Sequence, residues 1–513
     1  MKKTIVSIVL FSTLILFIQS CTHIEVDFSY SPEQPRAGES VSFTNTSTDG
    51  DDWEWNFGDG STSTSKSTSH VYKRAGTYTV RLRLDGKDRY TIARQVVVAD
   101  TVPTINRNIE SVNYYEPVVY SVLIYNPNKL DVSYKWSFSE NAQSDSITSG
   151  EAVSPTVEVL FTKRKTQEIV ELEVTVGENT FNISDTVFVN DVALLSLLYA
   201  EKDSNIFRQR ILKNGVEAPI DLGVPSGKHP FTMAAHNDNL YIFDAGTEIV
   251  YSDSWVGNTD GDGNIRVVNM QTNEAVEIIN NFGASSQYGF FNGYVDENYV
   301  YWTDYSDFVY KIPATAKGSV FTNDDAKSSS SYYLADVGAL GYNLSQGNAS
   351  GGFCIYDGLY FWAKRGEKDK GIFKFGAADI GITGSEPSAG KILTNYAIRA
   401  IATDKINRQI YFSVTAPEEN IGLWVAGING NPARRIENPP MKSAEMYINN
   451  IVVDNESGKV YWTYISPENG ENPSGIKQSE LVKSNSAQPN PVEYFLRVEA
   501  CAIALDNVKR FAE

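Results

Sequence analysis

The chain has 513 residues, 42% hydrophobic and 21% charged, enough for about three domains of roughly 150 residues and too apolar for a disordered polymer. Its formal charge of −19 excludes a nucleic-acid backbone or an anionic lipid surface as the main partner of the body, since both require clustered Lys and Arg. Three cysteines exclude a disulfide-stapled scaffold, and four histidines leave little room for a His-rich metal site.

Lys2 and Lys3 precede an apolar run from Ile5 to Ile18, about 14 residues, and then come Gln19, Ser20 and Cys21. That order predicts a secretory signal over residues 1–20, too short for a membrane-spanning helix. Phe17-Ile18-Gln19-Ser20-Cys21 resembles a bacterial lipobox. The resemblance implies cleavage before Cys21, acylation of its thiol and a lipidated tether over 21–23, so the membrane is touched through the lipid alone. Glu25 and Asp27 follow soon after; in lipoproteins of the Bacteroidota, which this N-terminus resembles, acidic residues there imply export toward the cell surface. The other two cysteines, Cys354 and Cys501, sit in apolar strand-like contexts and are expected to be free, buried thiols.

From residue 24 onward no segment carries a long helical period. Short runs of Val, Ile, Tyr and Thr alternate with Gly, Asn, Asp and Pro, which predicts an all-β chain. Residues 24–100 form a first domain. Trp55 and Phe57 alternate onto one face of a strand and can fill a sandwich core, while Gly58-Asp59-Gly60 suits a tight turn. Tyr78 is expected to anchor a corner through its hydroxyl. The stretch from Trp53 to Gly60, with His70-Val71-Tyr72 and Gly76-Thr77-Tyr78-Thr79-Val80, resembles the PKD domain, an immunoglobulin-like sandwich. Residues 101–191 predict a second Ig-like sandwich. Trp136 and Phe138 echo the first Trp-x-Phe pair, but the Gly-Asp-Gly turn is missing.

Residues 192–513 repeat. An aliphatic residue followed by Tyr199, Tyr241, Tyr301, Tyr360, Tyr411 or Tyr461 recurs roughly every 40 to 60 residues. A polar turn containing Asp238, Asp296, Asp357, Asp404 or Asp454 comes before five of them, and a further strand follows. One repeat suits one four-stranded propeller blade. The last segment, Ala500–Asp506, reads as the inner strand missing from the first repeat. This predicts a six-bladed β-propeller closed by its N- and C-terminal strands, which leaves no unpaired edge. Val300-Tyr301-Trp302-Thr303-Asp304 resembles the YWTD signature of six-bladed propellers, and Val460-Tyr461-Trp462-Thr463 is a near copy ending in Tyr464.

The sequence argues for binding rather than catalysis. Neither His229 nor His236 has a nucleophile elbow nearby, and inner-strand positions such as Ala234, Val295, Ile355, Ala402, Val452 and Ala504 are small or apolar. Asp260, Asp262 and Asn264 alternate as in half of an EF-hand loop. They offer Ca²⁺ its one candidate place, although the twelfth position is Gln271 rather than Glu. Trp255, Tyr288, Phe291, Tyr305, Trp362, Arg365 and Tyr464 are close enough to the repeated strands to reach one loop face. Flat aromatic rings there would stack on sugar rings, with Arg365 adding directional hydrogen bonds. The overall plan resembles cell-surface lipoproteins of Bacteroidota, in which a lipidated Cys and Ig-like spacers carry a recognition domain beside an outer-membrane importer. That resemblance implies a non-catalytic, outward-facing binder of a nutrient, most often a glycan. Open alternatives are a protein–protein or adhesion module, a propeller lyase or hydrolase, and a corrinoid binder.

Overall fold

The computed structural model describes residues 24–127, 129–148, 150–247, 262–282, 290–304, 308–315, 333–336, 350–366, 370–376, 390–437, 448–465, 474–483 and 490–511. These residues are mostly strand, with single 3-10 turns at Asp88–Tyr90 and Glu418–Asn420. None of their helices is long and apolar enough to cross a membrane. The chain divides into two compact units, 1–190 and 191–513.

The first unit holds two sandwiches. In the first, Phe28–Ser31, Ser40–Asn45 and Thr68–Val71 form one sheet, and Thr62–Ser63, Trp53–Asn56, Gly76–Leu84 and Thr91–Val98 form the other. Alternation along Gly76–Leu84 turns Val80, Leu82 and Leu84 into the core against Trp55, Phe43 and Phe57. The indole of Trp55 donates to Ser65 O at 2.9 Å. Gly58 has φ +82°, and a Cβ there would lie 2.9 Å from the Thr79 backbone, so the tight turn requires glycine. The Asp59 carboxylate accepts from Ser61 N at 2.9 Å and meets His70 Nε2 at 2.7 Å. The Tyr78 hydroxyl donates to Arg74 O at 2.8 Å, the corner anticipated from sequence.

The second sandwich repeats the core with different polar fastenings. Trp136 donates to Ser154 O at 2.7 Å and stacks on Phe138 at 6.2 Å, as Trp55 does on Phe57 at 6.5 Å. Just past Phe138, buried Glu168 accepts from Ser139, Asn141 and Thr166.

The described part of the second unit contains six four-stranded antiparallel sheets. The first combines Leu194–Glu201, Asn205–Arg210 and Ile220–Pro225 with the C-terminal Ala500–Arg510. Here Leu198 faces Ala504 and Tyr199 faces Ile503, the pairing of the two chain segments expected from sequence. The other five begin at Pro230–His236, Phe290–Val295, Ser350–Tyr356, Ala397–Asp404 and Ile451–Asp454, and each pairs its strands in chain order. Counting Ala500–Arg510 as the first strand of the first sheet, the six first strands adjoin in cyclic order.

Close approach between these strands explains their small residues. A Cβ on Gly351 would lie 2.3 Å from Ile398 O, and one on Gly293 would lie 2.1 Å from the Phe243 ring. Three of the recurrent Asp residues hold the turns into the second strands. Asp296 accepts from Asn298 N, Tyr299 N and the Tyr301 hydroxyl, and Asp404 and Asp454 accept in the same way from the backbone two and three residues on. Gly351→Ala is expected to lower the stability of the second unit by about 1–3 kcal/mol, through overpacking against a backbone that cannot yield. Calorimetry should show that unit's transition shift downward while the first unit's stays in place.

Candidate functional site

The six first strands line one central cavity of about 260 Å³. Its wall mixes small apolar side chains such as Ala234, Val295, Ala402, Val452 and Ala504 with polar ones from Asn292, Thr403, Lys405 and Asn450. Polar groups at one level tie the strands together. Asn292 Oδ1 accepts from Phe353 N at 3.0 Å. Asn450 Oδ1 accepts from Ile503 N at 3.0 Å, while its Nδ2 donates to Phe231 O at 3.0 Å. The Arg399 guanidinium lies over the Phe231 ring at 5.6 Å and is buried. These asparagines were not singled out from sequence, although a polar residue ahead of each small apolar stretch was the available signal.

Two titratable groups on the wall, Cys354 and Tyr294, are held protonated at neutral pH. Burial pushes the Cys354 thiol up to about 12 and raises Tyr294 well above the usual phenol range. Cys354 and Cys501 are both free, as expected, and burial also pushes Cys501 up to about 11. Near the strand starts, burial and then the Glu499 charge raise the Glu201 carboxyl. His229 is buried, and its backbone N–H donates to Asp244 Oδ1 at 2.7 Å.

The residues proposed from sequence fall into three groups. Cys21, Trp255, Asp260, Tyr288 and Tyr305 lie outside the described residues. Phe291 is the second residue of Phe290–Val295. Trp362, Arg365 and Tyr464 are interior. Trp362 is 0% exposed, packed with Tyr301, Val309, Phe353 and Phe375. Its ring is a packing element with no face turned to solvent, which corrects its expected role as a stacking platform. Arg365 is buried and its Nε donates to Ser350 O at 3.3 Å. Tyr464 is also buried, with the Lys477 ammonium 3.6 Å from its ring centre, so a cation already occupies the face expected to meet a sugar. Lys477 in turn pairs with Glu437, which accepts from the Trp462 indole at 2.9 Å.

The Ca²⁺ reading meets an obstacle at Asp262. Its Oδ1 accepts from Thr247 N at 2.7 Å, and its Oδ2 meets the Lys228 ammonium at 2.9 Å. Asn264 Oδ1 accepts from Arg266 Nε at 3.1 Å. A divalent ion would have to displace a cation here, and the described residues contain no group of three His, Cys, Asp or Glu placed to hold a metal.

Comparison with known proteins bears on the first unit. Residues 26–98 match the PKD domain family, and they form a PKD domain. No curated protein matches the chain. Among solved structures, a Bacteroides thetaiotaomicron protein of unknown function is 12% identical, covering 74% of this chain and 84% of its own, with a TM-score of 0.33. A quinonprotein alcohol dehydrogenase-like protein from the same organism is 11% identical, covering 79% and 95%, with a TM-score of 0.30. Likeness at that level carries no argument about the second unit.

Burial, and then the charge of Lys202, push the His229 imidazole down from 6.5 to about 4. Between those values the unfolded chain binds a proton that the folded chain does not, so stability falls as pH drops through this window, by about 3 kcal/mol at most. Unfolding of the second unit, followed from pH 7 to pH 4, should show this loss, and His229→Gln should flatten it.

Proposed function

We propose that residues 191–513 form a six-bladed, YWTD-like propeller closed by its terminal strands, and that the protein is a lipid-anchored outer-membrane protein facing the cell exterior. In this reading two Ig-like sandwiches carry the propeller. Its loop-bearing end captures a nutrient ligand, a glycan, without chemistry, for delivery to an outer-membrane importer.

One observation carries the reading. In an antiparallel four-stranded sheet, the segment joining the second and third strands and the segment joining the fourth strand to the next sheet leave from the same end. Trp255, Tyr305 and Arg365 follow second strands, and Tyr464 ends one. Tyr288 precedes a first strand, and Phe291 lies at its start. By chain connectivity alone, the segments that contain Trp255, Tyr288 and Tyr305 join the described strands at one end, the end at which Asn292 and Asn450 bridge the first strands. The cavity below is small, about 260 Å³, which favours a ligand held across the mouth over one threaded inside.

The test is binding of the soluble chain starting after Cys21 to a glycan array that includes corrinoids, followed by calorimetry. A saturable ligand with micromolar or tighter Kd is expected, with affinity reduced tenfold or more in Trp255→Ala. Trp362→Ala is unsuitable as a probe, because loss of a fully buried indole costs about 3–5 kcal/mol of stability. No small-molecule ligand would shift the assignment to a protein partner. For the anchor, Cys21→Ser is expected to abolish labelling by a palmitate analogue and to release the protein from the membrane fraction.

A further inference from the structure

Within the first unit, the last strand of the PKD domain ends at Val98 and the first strand of the second sandwich begins at Thr104, so Ala99–Pro103 join the two. Linked domains move relative to one another by default, unless contacts remove the freedom of the joint. Here every linker residue is restrained. The Ala99 carbonyl accepts from Ala37 N and its N–H donates to Pro35 O, both at 2.9 Å. The Asp100 carbonyl accepts from Arg36 Nη1 at 2.9 Å. The Thr101 hydroxyl donates to Ala37 O. Val102 precedes Pro103, whose ring holds Val102 to extended backbone and fixes its own φ. The start of the linker is thus fastened to the PKD domain, and its end is stiff by covalent geometry.

Two contacts reach back from the second sandwich. The hairpin turn between Thr166–Val176 and Asn179–Asn190 brings Asn179 Nδ2 to Asp100 Oδ2 at 3.1 Å. Tyr125 lays its ring against Gly38 of the PKD domain. Gly38 has φ +86°, and a Cβ there would lie 2.8 Å from the ring, so the ring comes as close as glycine alone permits. Tyr125 lines two separate hollows, of about 280 and 460 Å³, so it is a wedge in an open crevice rather than part of a continuous interface. A joint built this way depends on a few named contacts.

We propose that the PKD domain and the second sandwich move as one rigid strut, with Ala99–Pro103 as a fixed joint and the Tyr125 ring as its wedge. This stiffness is independent of what the second unit binds.

Spin labels at Thr91→Cys and Glu171→Cys, exposed strand positions in the first and second sandwich, read the joint by electron–electron double resonance. The soluble chain starting after Cys21 is used with Cys501→Ala, Cys354 being buried. A single narrow distance distribution is expected. Tyr125 is 37% exposed, so Tyr125→Ala should leave the fold intact. Combined with Pro103→Gly, it should broaden the distribution about twofold or more, and Asn179→Ala with Pro103→Gly should act in the same direction. Labels at Thr77→Cys and Thr91→Cys, both within the PKD domain, should keep their width in each variant. A parent distribution as broad as those of the variants would overturn the strut. So would variant distributions as narrow as the parent's, because the named contacts would then not be what fixes the joint.

Discussion

The carboxamide of Asn450 carries the tightest constraint in the second unit. Its oxygen holds the backbone of Ile503 and its nitrogen holds the carbonyl of Phe231, so one side chain fastens the sixth, first and second sheets. The chain separation between Asn450 and Phe231 is 219 residues, so the bond can form only when the sheets are laid round in sequence. Asn292 makes a shorter link from the third sheet to the fourth, and Thr303 adds another to Gly351 O at 2.9 Å. Bonds of this kind between first strands demand close approach, and close approach is why Gly293, Gly351 and Gly352 stand where side chains would collide.

A narrow interior follows from the same constraint. Small residues let the first strands meet, and what remains between them is a small cavity on whose wall the Cys354 thiol and the Tyr294 phenol are held protonated by burial. Charged residues are instead used as fasteners farther out. Arg210 pairs with Asp191 at 3.0 Å although both are nearly inaccessible, and Lys477 with Glu437 spans the fifth and sixth sheets beneath two tyrosine rings. Breaking one member of such a pair would leave the other charge buried and uncompensated, which makes the pairs rigid points of the frame.

Much of this frame was legible in the sequence. The Tyr strands recur because five of the six rings, all but Tyr360, are buried, and three of the Asp turns recur because Asp296, Asp404 and Asp454 cap the backbone in the same way, so the physical requirement repeats along much of the chain. The Trp-x-Phe pair was legible in both sandwiches, since alternation in a half-buried strand marks its inner face. The misread residues lie where alternation fails. Leu359–Lys364 is buried at four consecutive positions from Phe361 onward, because packing covers both of its faces. No pattern in such a strand separates a ring that packs from one that meets solvent, and Trp362 was assigned to the wrong class for that reason. Tyr464 stands where the near-copy repeat has Asp304, which read as a binding residue. Its ring lies under a lysine from the adjacent strand, a partnership across the sheet invisible to local sequence.

The two sandwiches show how far a core can be kept while its fastenings change. Both bury a tryptophan whose indole donates to a serine carbonyl, and both stack it parallel to a phenylalanine two residues on. In the PKD domain the loop after that phenylalanine is held by Asp59 against His70, which stacks on Phe57 at 4.3 Å. In the second sandwich the glycines and the histidine are gone, and Glu168 reaches in from a neighbouring strand to three neutral donors. A carboxylate accepts in both cases, from opposite directions along the chain. The constant requirement is an anion to satisfy a loop over the Trp-x-Phe strand. The motif that names the family is one of at least two ways to meet it, and the second leaves no compact signature because two of its donors, Ser139 and Asn141, lie nearly thirty residues from the acceptor.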